Sequence, residues 1–349
     1  MINLKKTFIL ALFLIIIILV AGCRGKSEAE RSLEDIRSGT EGVAVSFLPN
    51  NPPETIHVLK AGDTDIGVVL ELKNKGAYPQ PDNTDETGNF KVGVYLSGYD
   101  RSIIENLNIN ADDIKSERIQ QTLFGKSTVN PSGGTHFVTF EGKIKSDNLN
   151  IEKYEPALLA TVCYNYQTIA GPVVCIDPDP YLTVQQKKVC EVQDINLNNQ
   201  GAPIAVTRID EEAFEGKTEF KITVRNVGNG DLLKQDVITS NKCNPVGTDK
   251  IKRDDIDRVK LESVRIGNTD LTCGPFAEGA NVKEKSGIIR LVDREGFIIC
   301  ELSKQENDAY KSSQNSYTTP LKIRLTYGYR TTAERKIEIK KELSSSGSQ

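Results

Sequence analysis

The chain has 349 residues, with 44 Lys and Arg against 48 Asp and Glu and a net charge of −4. No basic field exists for nucleic acid, and no nucleic-acid partner is expected. Past an apolar beginning, roughly 325 residues remain, enough for two domains of typical size.

Lys5 and Lys6 precede an uncharged apolar run, Phe8 to Val20, which ends in Val20-Ala21-Gly22-Cys23. A basic start, an apolar core and small residues together have the form of an export signal. As a helix, Phe8 to Cys23 extends about 24 Å, short of a ~30 Å hydrocarbon core; with Thr7 and snorkelling flanks it just spans. Two outcomes stay open. The four residues ending at Cys23 resemble the lipobox of prokaryotic lipoproteins, which implies cleavage before Cys23 and lipidation of its thiol. The other outcome is an uncleaved signal anchor with Cys23 at the interface. Lys5 and Lys6 favour a cytoplasmic N-terminus, although Arg24 and Lys26 blunt the asymmetry. Both readings make 1–23 a membrane tether and place the remainder outside the cytoplasm. Residues 24–42 read as a polar stalk, with only Leu33 and Ile36 apolar between Glu28 and Arg37.

A first β domain is expected over 43–180. Val43, Val45 and Phe47 alternate with small or polar residues, and Ile66, Val68, Leu70 and Leu72 alternate strictly up to Asn74-Lys75-Gly76. Val92, Val94 and Leu96 repeat the pattern, Ile103 to Ile114 suggests a short helical turn, and His136 to Glu141 resumes a strand. Leu158 to Tyr166 and Val173 to Ile176 read as a strand pair around Ala170-Gly171-Pro172. Asp177-Pro178-Asp179-Pro180 is the expected boundary, because two prolines in four residues stop pairing. A second β domain follows over 181–342, with strands at Phe220 to Val224, Val259 to Ile266, Gly287 to Val292 and Phe297 to Leu302. Leu321-to-Tyr329 and Lys336-to-Ile339 read as a last hairpin whose charged outer strand guards an edge. The tail 343–349 is expected to be disordered.

The second domain repeats the first. Setting Asn226 on Asn74 aligns Phe220 with Val68, Ile222 with Leu70, Val224 with Leu72 and Gly228 with Gly76. The segments Leu70-Glu71-Leu72-Lys73-Asn74-Lys75-Gly76 and Ile222-Thr223-Val224-Arg225-Asn226-Val227-Gly228 resemble the immunoglobulin-like CARDB type of prokaryotic, especially archaeal, surface proteins. The resemblance covers one strand and turn per domain, and the first domain departs from it between Gly98 and Gly134. It implies an all-β chain of two seven-stranded immunoglobulin-like antiparallel β-sandwiches serving surface adhesion or display, and carries over no catalytic residue.

Six cysteines follow Cys23: Cys163, Cys175, Cys190, Cys243, Cys273 and Cys300. An even count in an exported chain reads as disulfides. Cys163 and Cys175 sit equidistant from Ile169 on the arms of the expected hairpin and are expected to pair. Cys190 with Cys243 and Cys273 with Cys300 complete one of fifteen possible sets. No Cys-x-x-Cys spacing occurs and only His57 and His136 add imidazoles, so neither a metal site nor a cofactor is expected.

Little else points to chemistry. His57 and His136 read as outward strand residues, and an extracytoplasmic enzyme would need one of them to meet carboxylates in a cleft. Ser132 is a turn serine without Gly-x-Ser-x-Gly around it. Asp82, Asp85 and Glu86, and separately Asp177 and Asp179, are the acids that could hold calcium, although neither cluster has an EF-hand spacing. Asp254, Asp255 and Asp257 sit among Lys252, Arg253 and Arg258, which neutralise them. Tyr164, Tyr166 and Tyr181 are the aromatics available to a solute- or glycan-binding pocket. The expectation is a non-catalytic, membrane-tethered surface protein with an envelope, surface-protein or glycan partner; the alternative is a solute- or glycan-binding lipoprotein.

Overall fold

A computed structural model describes residues 36–59, 62–81, 83, 89–109, 123–181, 187–279, 283–313 and 315–342. The tether with Cys23, most of the stalk, Asp82, Asp85, Glu86 and the tail lie outside the described residues. No helix among the described residues is long and apolar enough to cross a membrane.

The chain is all-β. The first half contributes β1 (Val43–Phe47), β2 (Thr55–Val58), β3 (Thr64–Asn74), β4 (Val92–Ser97) and β5 (Ile104–Ile109). It continues with β6 (Thr135–Ile144), β7 (Lys153–Tyr154), β8 (Ala157–Ala170) and β9 (Val173–Ile176). The second half adds β10 (Ile195–Asn196), β11 (Ile204–Phe214), β12 (Lys217–Asn226), β13 (Asp231–Leu233) and the short helix α1 (Asp236–Thr239). Then come β14 (Arg258–Ile266), β15 (Thr269–Asp270), β16 (Thr272–Gly274), β17 (Gly287–Arg290) and β18 (Glu295–Ser303). A second short helix α2 (Asp308–Ser312), β19 (Tyr317–Lys336) and β20 (Glu338–Lys341) close the chain. The helical turn expected from Ile103 is instead strand β5 up to Ile109; the remainder of that segment lies outside the described residues. Ile36 is buried, and Gly42 accepts from the Lys75 amide, so the end of the expected stalk packs into the body.

β1-β3-β6-β5 and β10-β11-β12-β18-β16 form two outer sheets, and β15-β14-β19-β8-β4 forms the path of a central one. The central sheet takes strands from both sides of Asp177-Pro178-Asp179-Pro180. Its middle is one antiparallel ladder in a single register, from Tyr317 opposite Ile176, through Ile323 opposite Ala170 and Lys336 opposite Ala157, to Ile339 opposite Tyr154. Two hairpin expectations are therefore corrected. At Gly171-Pro172 the chain runs straight on: β19 pairs with β8 up to Ala170 and with β9 from Val173, the Leu321 amide bridges the gap by donating to Pro172 O, and β4 covers the other edge of β8 from Leu159 to Tyr164. The final stretch also continues through Thr331-Thr332-Ala333, which holds no glycine or proline to turn it. β20 consequently lies between β2 and β7 with Ile337 and Ile339 buried, and is not an exposed edge.

Pairing two similar strands antiparallel produces a local two-fold. Tyr164-Asn165-Tyr166 lies opposite Tyr327-Gly328-Tyr329, with Asn165 facing Gly328 at the centre. The four tyrosine rings are buried and form a closed circuit, neighbouring centroids lying 5.6, 5.9, 6.3 and 6.4 Å apart. The Asn-x-Gly repeat terminates on this circuit. Tyr166 Oη donates to Asn74 Oδ1 at 3.1 Å and Tyr329 Oη to Asn226 Oδ1 at 3.0 Å. Each asparagine amide then donates to the carbonyl four residues on, Tyr78 O at 2.8 Å or Gly230 O at 3.1 Å. The glycines of the motif are required by close approach: a Cβ on Gly228 would sit 2.6 Å from Tyr329 Oη, and one on Gly76 would collide with Tyr166 Oη and Glu41 O. Burial pushes the Tyr164 and Tyr327 hydroxyls well above the ordinary tyrosine range, and Tyr329 up to about 12. One continuous hydrophobic core takes in both halves, from Val43 to Ile339.

Candidate functional site: a polar groove on the outer face of the central sheet

Side chains alternate across a strand, so residues between the buried tyrosines point to the opposite face of the central sheet. Part of that face is closed. Leu233, Val237 and the Cys163–Cys243 bridge form a small apolar cluster over it, and Gly328 is needed beneath, because a Cβ there would lie 2.7 Å from Lys234 O. The rest is open and polar. It is a groove of about 590 Å³ with its floor on β8, β19 and β14.

The floor is set by register. Thr326 lies directly opposite Gln167, and Ser263 opposite Arg324. Thr326 Oγ1 donates to Glu262 Oε1 at 2.8 Å, and Lys260 pairs with the same carboxylate at 2.9 Å. At the side, Arg265 grips Asp270 two-pronged, through Nε and Nη2; that hydrogen bonding holds the Asp270 carboxyl below the usual range. These groups satisfy one another. Gln167 and Arg324 do not. Gln167 is 9% exposed, its Nε2 has no hydrogen-bond partner, and Arg324 Nε is likewise buried without one. No ion pair of Arg324 occurs among the described residues. Lys285 and Ser286 border the groove on one side, and Asn83 and Asn89 on another. A buried amide left unbonded costs about 1–3 kcal/mol, which marks this floor as incomplete without a ligand or water.

A second groove of about 820 Å³ lies between β1 and the end of β19. Two of its charged groups, Arg335 and Glu338, already have partners. Arg335 Nη1 donates to Leu48 O at 2.9 Å, and Glu338 is clasped by Lys153 and Lys340, hydrogen bonds that lower its carboxyl to about 2.

The cysteines form three pairs: Cys163–Cys243, Cys175–Cys190 and Cys273–Cys300. Cys273–Cys300 agrees with expectation, being a directly opposed pair of β16 and β18. The expected Cys163–Cys175 and Cys190–Cys243 pairs are corrected. Cys163 and Cys175 lie twelve residues apart along an unbroken run, which at about 3.3 Å per residue is roughly 40 Å. Cys175 instead reaches Cys190 in the segment beyond the prolines.

Tyr164 and Tyr166 come together, but as core: both are at most 2% exposed, Tyr164 bordering only a small cavity of about 170 Å³ with Gly228 and Tyr329, while Tyr181 is 65% exposed. His57 on β2 and His136 on β6 stand in different sheets. Asp177 is paired with Lys188 and Asp255 with Lys242, while Asp254 lies 3.8 Å from Arg258. No group of three metal-ligating side chains gathers among the described residues.

Glu211 on β11 is a buried group the sequence did not single out. Its Oε2 accepts from the Cys175 amide at 3.3 Å, its Oε1 has no partner, and burial pushes its carboxyl up to about 7. Gln167 and Arg324 were missed as well. Their alternation with apolar neighbours is visible in the sequence, but a pairing that spans 159 positions, as between Gln167 and Thr326, has no local signal. No protein-family model matches the chain, and no curated protein matches it in sequence.

Proposed function

We propose that the protein is a non-catalytic, membrane-tethered extracytoplasmic module that binds or spaces a partner at the cell surface. On this reading residues 1–23 tether the chain, by a lipidated Cys23 or by an uncleaved helix. The body is two immunoglobulin-like sandwiches of the CARDB kind, interlocked because β8 and β19 each run through both. The observation that carries the reading is that all six cysteines after Cys23 are paired, a state that persists in oxidising compartments. A body clamped by a shared ladder and three cross-links suits a rigid passive spacer, with repeated edges for an envelope or surface protein to contact.

The groove favours a second reading, a solute- or glycan-binding lipoprotein, because Gln167 and Arg324 lie unbonded in it. The aromatic cluster does not support that reading, since Tyr164 and Tyr166 are buried.

Intact mass of membrane-extracted protein, before and after reduction with alkylation, tests the first reading. A chain beginning at lipidated Cys23, gaining six alkyl groups only after reduction, is the expected result for the lipid form. An uncleaved chain with the same gain selects the anchor. Free cysteines without reduction contradict the extracytoplasmic location.

A further inference from the structure

The unbonded groups of the polar groove share a chemistry. Gln167 offers one donor pair and one acceptor from a fixed position, since its backbone lies mid-strand and its side chain is held at 9% exposure. Arg324 offers a guanidinium with no carboxylate paired to it among the described residues, two residues along β19 from Thr326, which faces Gln167. Of the two carboxylates on the lining among the described residues, Asp270 is held by Arg265, and Glu262 by Lys260 and Thr326. Lys285 acts on Asp270 only as a more distant charge, the last of the influences on its carboxyl. The groove therefore presents unmet positive charge at Arg324, reinforced by Lys285, beside an unmet amide and two serines, Ser263 and Ser286.

We propose that this groove binds a carboxylate-bearing, hydroxyl-rich ligand, an acidic saccharide of the uronic-acid type. Arg324 takes the carboxylate in a two-pronged, charge-assisted pair. Gln167 bonds ring hydroxyls as both donor and acceptor, which a hydroxyl can match and a purely anionic ligand cannot. A neutral sugar would leave Arg324 unmatched, and an apolar solute would leave both groups unmatched, at a cost in each case. The volume of about 590 Å³ lies within the usual range for small-ligand sites. The inference rests on the binding reading of the body and names the ligand class for it.

Trigalacturonate, neutral galactotriose and succinate are titrated calorimetrically into the full-length protein in detergent. Trigalacturonate is expected to bind, with galactotriose and succinate each at least about tenfold weaker. Arg324→Ala should weaken trigalacturonate by about 10–100-fold and Gln167→Leu by about tenfold, while Lys143→Ala on the distant β6 changes nothing. Near-identical unfolding curves for the variants show that the loss is not misfolding. No binding of trigalacturonate at millimolar concentration, or binding indifferent to Arg324→Ala, overturns the proposal. Succinate binding as tightly as trigalacturonate overturns the saccharide assignment. The outcome is separable from the tethering question: free cysteines in the mass measurement would remove the extracytoplasmic location and leave these titrations standing.

Discussion

The two faces of the central sheet share the same strands yet differ in how their polar groups are met. On the inner face the Asn-x-Gly motifs close on the tyrosines: Tyr166 and Tyr329 donate to Asn74 and Asn226, and those asparagines cap the turns that follow, while Tyr164 Oη alone of the circuit's hydroxyls is buried without a hydrogen-bond partner among the described residues. On the outer face Gln167 Nε2 and Arg324 Nε lie one residue from buried neighbours, with no hydrogen-bond partner among the described residues. A polar group inside a low-dielectric core stabilises only when it is fully bonded, and an incomplete one is costly. The inner face is thus where the fold is fixed, and the outer face is where it retains unmet bonding capacity.

Breaking the inner face should have the largest effect. Asn74 bonds Tyr78 O, Leu123 O, the Gly76 amide and Tyr166 Oη, so Asn74→Ala removes four buried hydrogen bonds. A loss of about 3–5 kcal/mol is expected from denaturant midpoints. Asn226 bonds Gly230 O and Tyr329 Oη, with fewer groups dependent on its side chain, and Asn226→Ala should cost about 2–3 kcal/mol. Equal losses would show that the two halves of the repeat carry the same load.

Glu211 lies between the two cases, with one oxygen bonded and the other not. Its folded carboxyl keeps a proton up to about pH 7, against about 4.5 for the unfolded chain. Between those values the folded state binds the extra proton, so stability falls as pH rises from about 4.5 to about 7, and the deficit is complete above that window. Glu211→Gln should therefore raise stability at pH 8 by about 2–3 kcal/mol and leave it unchanged at pH 4. A gain that is the same at both pH values would assign the effect to packing instead of charge.

The outer face should respond least. Arg324→Ala and Gln167→Leu break no bond, and both are expected within about 0.5 kcal/mol of the parent. A loss above about 2 kcal/mol for either would show that the groove floor is structural and erase the contrast between the faces.

Local pattern made much of this readable. Strict alternation placed β3, β6, β12 and β18, and the Asn-x-Gly terminators marked equivalent positions whose asparagines and glycines do equivalent work. Between the expected strands Gly287 to Val292 and Phe297 to Leu302 the chain does turn, with Asp293 and Arg294 both at positive φ. What could not be read was what joins distant segments. Gly171-Pro172 has the composition of a turn, and it is β19, a strand from the far end of the chain, that pairs with both β8 and β9 and keeps them in line. That difference moved Cys175 away from Cys163 and left β8 to pair with β19, which sets Gln167 beside Thr326; the missing turn at Thr331-Thr332-Ala333 put Ile337 and Ile339 in the core. Cys273 and Cys300 were recoverable because their strands belong to one neighbourhood of the chain.

The run through Gly171-Pro172 is the central claim, and disulfide mapping tests it most directly. Non-reducing proteolysis at acidic pH, followed by mass spectrometry of the linked peptides, should yield Cys163–Cys243, Cys175–Cys190 and Cys273–Cys300. A peptide linking Cys163 to Cys175 would mean that the chain turns back on itself there, and would contradict the shared ladder on which both faces depend.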